Sequence, residues 1–197
     1  MPAPRDPLLL DLPLSIDTPR LALRVPQAGD GAALHDALAE SVGELRRYLG
    51  HLTWVAAEPS VESAEAWCRK GRASFLSRAD LPFLIVEKDG GAVVGACGLH
   101  RTVWDTPRTE VGYWGRTSRS GQGFVSEAVR ALCRYAFDHI GAVRVELVTD
   151  DENAGSRRIA ERCGFALEGV MRHAQRSPAG TLRNLCMYAR FPHPQAT

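Results

Sequence analysis

Lysine is almost absent. Lysine and arginine together number 24 in 197 residues, and only Lys70 and Lys88 are lysine. A cation that grips a phosphate here is therefore expected to be a forked guanidinium. Net charge is just as scarce. With 23 acidic residues the balance is +1, which points neither to nucleic acid nor to an anionic membrane surface. No apolar run reaches the length of a membrane-spanning helix. The short run Leu8-Leu9-Leu10 is cut by Asp11 and Pro13, which argues against a cleaved leader. The five cysteines, at 68, 97, 133, 163 and 186, form no C-x-x-C pair. That excludes a disulfide framework and a zinc knuckle, and predicts reduced, buried thiols in a cytoplasmic protein. The six histidines show no ligand spacing, so no metal is expected. No repeat or low-complexity tract suggests a second domain.

What remains is an ordinary globular composition, 45% hydrophobic and 24% charged, long enough to bury a core without staples. Residues 1–17 are proline-rich and read as a loose arm, 18–191 as one domain, and 192–197 as a tail. Arg20 to Val25 alternates as a half-buried strand does. Pro26 and Asp30 open a helix, a short second helix covers Gly43 to Leu49, and Pro59-Ser60 starts a third that runs to about Arg78. Residues 83–87, 92–103 and 109–114 form an antiparallel meander turned at Asp89-Gly90-Gly91 and Thr106-Pro107. An amphipathic helix follows, with Val125, Ala128, Val129, Leu132, Cys133 and Ala136 on one face. A strand over 143–149, a helix from Asn153 to Cys163 stopped by Gly164, and strands over 165–172 and 182–191 complete the chain. The order predicts a mixed α/β (α+β) fold, a mostly antiparallel sheet of six to seven strands with one strand–helix–strand crossover.

The most informative segment is Ser118-Arg119-Ser120-Gly121-Gln122-Gly123, between a strand and the amphipathic helix. Glycines there permit positive φ and close approach of a ligand. Outward N–H groups and the helix dipole would cradle an anion, best a pyrophosphate. Ser126 could add a hydroxyl, and Arg116 or Arg119 a fork. On the loop alone, a connector without a ligand fits equally well. No Gly-Lys-Ser/Thr follows, and Ser126 stands where a dinucleotide fingerprint has its third glycine, so neither of those phosphate loops is present.

The loop resembles the coenzyme-A pyrophosphate loop of the GNAT acetyltransferase superfamily, Q/R-x-x-G-x-G/A, with Ser118 departing at the first position. Glu110-Val111-Gly112-Tyr113-Trp114, Asn153-Ala154-Gly155-Ser156 with Glu161-Arg162-Cys163-Gly164-Phe165, Leu167-Glu168-Gly169 and Met187-Tyr188-Ala189-Arg190 extend the resemblance over about Thr18 to Phe191. The subgroup it is most similar to is the ribosomal-protein N-terminal acetyltransferases. The resemblance implies a sheet with a splayed central pair and acetyl-CoA as co-substrate. The acceptor would be a primary amine, with a protein N-terminus ahead of a small amine such as a polyamine. A non-catalytic coenzyme-A binder is the third reading. No nucleic acid or membrane partner is implied, and the chain would be a monomer or homodimer.

The same resemblance distributes roles. Backbone at Trp114 and Gly115 would pair with the pantetheine arm. Arg116, Arg119, Ser120, Gly121, Gln122, Gly123, Phe124, Val125 and Ser126 would hold the pyrophosphate. Asn153 would bind the arm from the other side. An arginine of the Arg157-Arg158 pair is a candidate for the ribose phosphate. Glu110 is the candidate base. The subgroup's glutamate falls at Thr117 and the superfamily's acidic tyrosine at Ala160, which leaves Ser156 as the candidate acid. Tyr113, Trp54 and Trp104 are the aromatics expected around the acetyl group and acceptor. His100 and His139 read as surface or packing residues. No cysteine has a histidine and carboxylate beside it in motif context, so a ping-pong thiol route is not expected.

Overall fold

A computed structural model describes residues 6–177 and 179–192. Eight strands form one sheet in the order β1-β2-β3-β4-β5-β6-β8-β7. They are β1 (Ser15–Asp17), β2 (Leu21–Arg24), β3 (Leu81–Glu87), β4 (Val93–Val103), β5 (Arg108–Gly115), β6 (Arg144–Asp150), β7 (Ala166–Arg176) and β8 (Leu182–Arg190). Helices α1 (Gly31–Leu49), α2 (Thr53–Ala56), α3 (Val61–Leu76), α4 (Phe124–Tyr135) and α5 (Ala154–Arg162) cover it. All strand pairs are antiparallel except β5–β6. The predicted mixed, mostly antiparallel sheet is therefore present.

Among the described residues the strands number eight, not six to seven. The extra strand is β1, which lies in the segment expected to be a loose arm. Residues 6–17 instead lie against the domain. β1 pairs with β2, Leu12 is buried, and Arg78 donates to the carbonyls of Pro7 and Leu10 while Tyr135 donates to that of Pro13. Proline-rich backbone has carbonyls to spare, and two side chains remote in sequence use them. Residues 1–5 and 193–197, parts of the expected arm and tail, lie outside the described residues.

The two helices expected over 30–49 are one. Gly43 faces solvent inside α1, and the helix absorbs its cost of about 1 kcal/mol relative to alanine. Helix α1 and α3 touch so closely that a Cβ on Gly31 would lie 2.6 Å from that of Glu65. Glu65 in turn accepts from the Gly29 and Gly31 amides and so caps α1 from outside. Ser60 caps α3 with a capping box closed by Ser63.

Strand β3 explains its unbroken apolar run by burying both faces. Leu84 packs with Leu34, Ala64, Ala96 and Trp114 under α1 and α3. Its neighbours Phe83 and Ile85 pack with Leu132, Val129 and Leu147 under α4 and α5. Thus α1 and α3 cover one face of the sheet and α4 and α5 the other. All five cysteines are buried and unpaired. Burial pushes the Cys68 and Cys133 thiols up to about 12, so neither is a nucleophile at neutral pH.

Candidate active site

The crossover from β5 through α4 to β6 creates the site. Parallel pairing of β5 with β6 covers only Arg108–Glu110 against Arg144–Glu146. Beyond Glu110, β5 stays with β4 while β6 stays with β8. The sheet therefore opens into a wedge whose walls are the C-terminal halves of β5 and β6. Glycine sets how tightly the wall at β5 is built. A Cβ on Gly95 would collide with the Trp114 carbonyl, and one on Gly115 would sit 2.7 Å from Val125.

At the end of β5 the chain makes one turn of 3-10 helix, Thr117–Arg119, then passes Gly121 and Gly123 at φ +78 and +80 into α4. Gly123 occupies the N-cap position and offers no side chain. Among the described residues, no acceptor meets the amides of residues 121–126. The first bonded amide is that of Glu127, to the Gly123 carbonyl. Six free donors at a helix N-terminus make the anion cradle that the glycines predicted.

The loop is braced from two sides, by residues that motif reading missed. Glu40 of α1 accepts from the Ser118 amide at 2.6 Å and from Arg116 at 2.7 Å. These bonds, Ser118 first, pull its carboxyl down to about 2. Ser41 accepts from the Thr117 amide. On the other side Glu127 holds the Thr18 hydroxyl at 2.6 Å, the Arg20 amide at 3.0 Å and the Arg20 guanidinium at 2.7 Å. Arg20 also reaches the Gln122 carbonyl and lies 4.5 Å over the Phe124 ring. No signal local to residues 118–123 could have found Glu40 or Arg20.

Across the wedge, Asn153 accepts from the Ser156 amide and caps α5. The Ser156 hydroxyl lies 2.8 Å from the Tyr113 hydroxyl, which reaches across from β5. Burial pushes the Tyr113 phenol well above its usual range, with the Ser156 bond pulling the other way. It therefore stays protonated at neutral pH and serves as a donor.

The opposite face of β5 carries a different set. Gly98 pairs with Gly112 and His100 with Glu110 across β4 and β5. Alternation puts these four on the same face as Trp114 and Ala96, under α1 and α3. The His100 ring lies over both glycines. A Cβ on Gly98 would be 2.9 Å from its Nε2, and one on Gly112 would be 3.0 Å from its Cδ2. Its Nδ1 is 3.2 Å from Asp80. Both Glu110 oxygens are engaged by Arg101, which adopts left-handed backbone at φ +52 where the β4–β5 register breaks.

One cavity of about 820 Å³ joins these parts. It is lined by Glu110, Tyr113, Trp114, Gly115, Ser120, Val125, Asn153, Ser156 and Trp54 among the residues expected from sequence, and also by His100, Arg101 and Trp67. Several expectations are corrected. Trp104 packs against the α4 side of the core, outside the cavity. Ser126 and Phe124 are buried, so in the cradle only their amides are placed to serve. Arg116 and Arg119 are not free forks but pair with Glu40 and Glu87. Arg157 bonds to Tyr188 and the Asp151 carbonyl. No group of three metal-ligating side chains exists among the described residues, and no described helix is long and apolar enough to cross a membrane.

Residues 20–166 match the family model of the acetyltransferase (GNAT) domain. The "Uncharacterized N-acetyltransferase p20" of Bacillus licheniformis is 31% identical over 107 residues, 54% of this chain and 60% of that protein. The "Ribosomal-protein-serine acetyltransferase" of Escherichia coli is 30% identical over 93 residues, 47% of this chain and 51% of that protein. The matched segments thus span between half and three fifths of these curated relatives. Among solved structures, RimL, described as a ribosomal L7/L12 alpha-N-protein acetyltransferase in complex with coenzyme A, superposes with a TM-score of 0.81 at 23% identity. That match covers 90% of this chain and 97% of the other.

Proposed function

The chain belongs to the GNAT family of acetyl-CoA-dependent acetyltransferases, and we propose that its acceptor is the α-amine of a protein N-terminus. The observation that carries the cofactor end is the wedge beside β5 with six unbonded amides at its mouth. The amides of residues 121–126 would hold the pyrophosphate of acetyl-CoA, and the free edge of β5 near Trp114 and Gly115 would pair with its amide-bearing arm. Asn153 would flank the arm from α5. When bound, acetyl-CoA supplies an activated acyl group.

Ser156 gives a proton to the departing sulfur, and Tyr113 restores it through the 2.8 Å hydroxyl contact. Because a thiol ionises near 8.5, this relay needs little driving force. Glu110, held by Arg101, contributes charge beside the acceptor rather than a free lone pair. Trp54 lines the acceptor end of the cavity. The α-amine reading rests on two supports. An α-amine ionises near 7.7–8.0 and so needs only a weak proton acceptor, unlike a lysine amine near 10.4. A relative 30% identical is named for acetylating a ribosomal protein.

The test is thiol release from acetyl-CoA with peptides bearing a free N-terminus, with the same peptides Nα-blocked, and with small polyamines. Turnover confined to free N-termini is expected. Turnover of Nα-blocked lysine peptides or of polyamines alone would overturn the acceptor assignment.

A further inference from the structure

We propose that His100, oriented by Asp80, is the group that takes the proton from the acceptor ammonium. This rests on the acetyltransferase reading above and deepens it. Three features of the sheet carry it. First, the imidazole lies on a floor made by Gly98 and Gly112, where any side chain would displace it. Two facing glycines at one register pair leave a trench in an otherwise packed surface, and the ring occupies it. Second, Asp80 meets Nδ1 at 3.2 Å. A carboxylate only accepts, so Nδ1 carries the ring proton and Nε2 presents a lone pair. Third, the side chain is 37% exposed and lines the cavity, so a captured proton has a route to solvent.

Glu110, directly opposite, does not compete. Both of its oxygens already accept from Arg101, and taking a proton would require that pair to part. Besides Arg101, Tyr113 and the buried Cys97, the other charged or titratable groups lining the cavity are Glu44, Tyr48, His51, Glu58 and Asp150. Glu58 is paired with Arg46 and Asp150 with Arg183.

The proton count closes. The acceptor enters as an ammonium with three protons and leaves as an amide with one. A C–N bond forms at the acetyl carbon and the thioester C–S bond breaks. One lost proton leaves through His100 Nε2 to solvent. The other passes to water, and the Ser156–Tyr113 pair recovers one proton from water after delivering its own to sulfur. No oxidant or metal enters.

Four measurements test the assignment. His100→Ala is expected to lower kcat/KM by about 10²–10⁴-fold, the usual contribution of a positioned base. His100→Gln is expected to do the same. Acetyl-CoA affinity by calorimetry should stay within about twofold, because His100 pairs with Glu110, well back along β5 from Gly115 where the loop begins. Free imidazole should restore His100→Ala activity at least about tenfold, since Gly98 and Gly112 leave it a seat. Long-range proton–nitrogen spectra of the free protein should show neutral His100 protonated on Nδ1, with Asp80→Asn weakening that preference. Variants within about threefold of wild type, a loss that imidazole does not restore, or a ring protonated on Nε2 would each overturn the proposal. A wild-type protein that acetylates no amine would instead defeat the acetyltransferase reading itself.

Discussion

The bracing of the glycine loop by Glu127 can be tested by removing one carboxylate. Glu127→Ala deletes acceptors for the Thr18 hydroxyl, the Arg20 amide and the Arg20 guanidinium. Thr18 is buried and Glu127 is only 13% exposed, so the bond from the Thr18 hydroxyl is shielded, while both bonds from Arg20 are exposed. Hydrogen bonds to a charged partner contribute about 1.5–3 kcal/mol each. Arg20 is nearly half exposed, so its ion pair adds no more than about 1 kcal/mol. One shielded bond of that size and at most about 1 kcal/mol from the exposed pair make the loss about 2–4 kcal/mol. For a domain of this size that is a fall in Tm of about 4–16 °C. Glu127→Gln keeps one acceptor oxygen and should lose about half as much. The effect carries a pH signature. Burial alone would raise the Glu127 carboxyl, but the bonds from Thr18 and Arg20 hold it below the ordinary carboxylate value. Its contribution is therefore complete above the unfolded pKa near 4.3 and is lost as pH falls through the lower folded value. The gap in Tm between wild type and Glu127→Gln should be widest near neutrality and shrink in acid. Scanning calorimetry across pH decides it. A Glu127→Ala protein within about 2 °C of wild type at neutral pH, or a gap that widens in acid, would refute the reasoning.

Three further outcomes are expected. Ser156→Ala should lower kcat by about 10–100-fold with acetyl-CoA affinity unchanged, and Tyr113→Phe by a smaller factor, because both act on one proton; an unchanged kcat in single-turnover assays would remove Ser156 as the acid. Gly121→Ala places a side chain in open space at φ +78, so its stability cost is the backbone strain alone, about 1–2 kcal/mol, while calorimetry should show weaker coenzyme-A binding as the amides turn away. Trp54→Ala should raise KM for the acceptor without touching acetyl-CoA affinity, whereas Trp104→Ala, outside the cavity, should cost about 2–3 kcal/mol of stability and leave KM alone; the reverse pattern would misplace the acceptor.

Much of the cofactor end was legible because its signals are local. Positive φ at Gly121 and Gly123, the polar break before a strong amphipathic helix, and Asn153 capping Ser156 each lie within a few residues. The rest was not legible because it is made by strand alignment. His100 meets Asp80 across 20 residues, and Gly98 faces Gly112 only through the β4–β5 register. Tyr113 and Ser156 meet across 43 residues. Read singly, a histidine on a strand and two glycines look like packing. The arm was misread for a related reason. Strand β1 has three residues, too few for a period, and the side chains that anchor the stretch before it, Arg78 just after α3 and Tyr135 on α4, are remote in sequence. Trp104 sits in the turn past the register break that follows His100, where strand alternation no longer says which way a side chain faces, and it packs on the core outside the cavity.

The short β5–β6 seam has one more consequence. Three register pairs are all that join β1–β5 to β6–β8 within the sheet, so the ladder is continuous only at one end. A ligand backbone seated in the wedge would extend that seam along the free edge of β5 and tie the two halves together. Because only the folded chain offers such a seat, folding and occupancy are thermodynamically linked, and stability rises with the concentration of free ligand. The opening that admits the acetyl donor thus also makes the fold a gauge of how much donor is present.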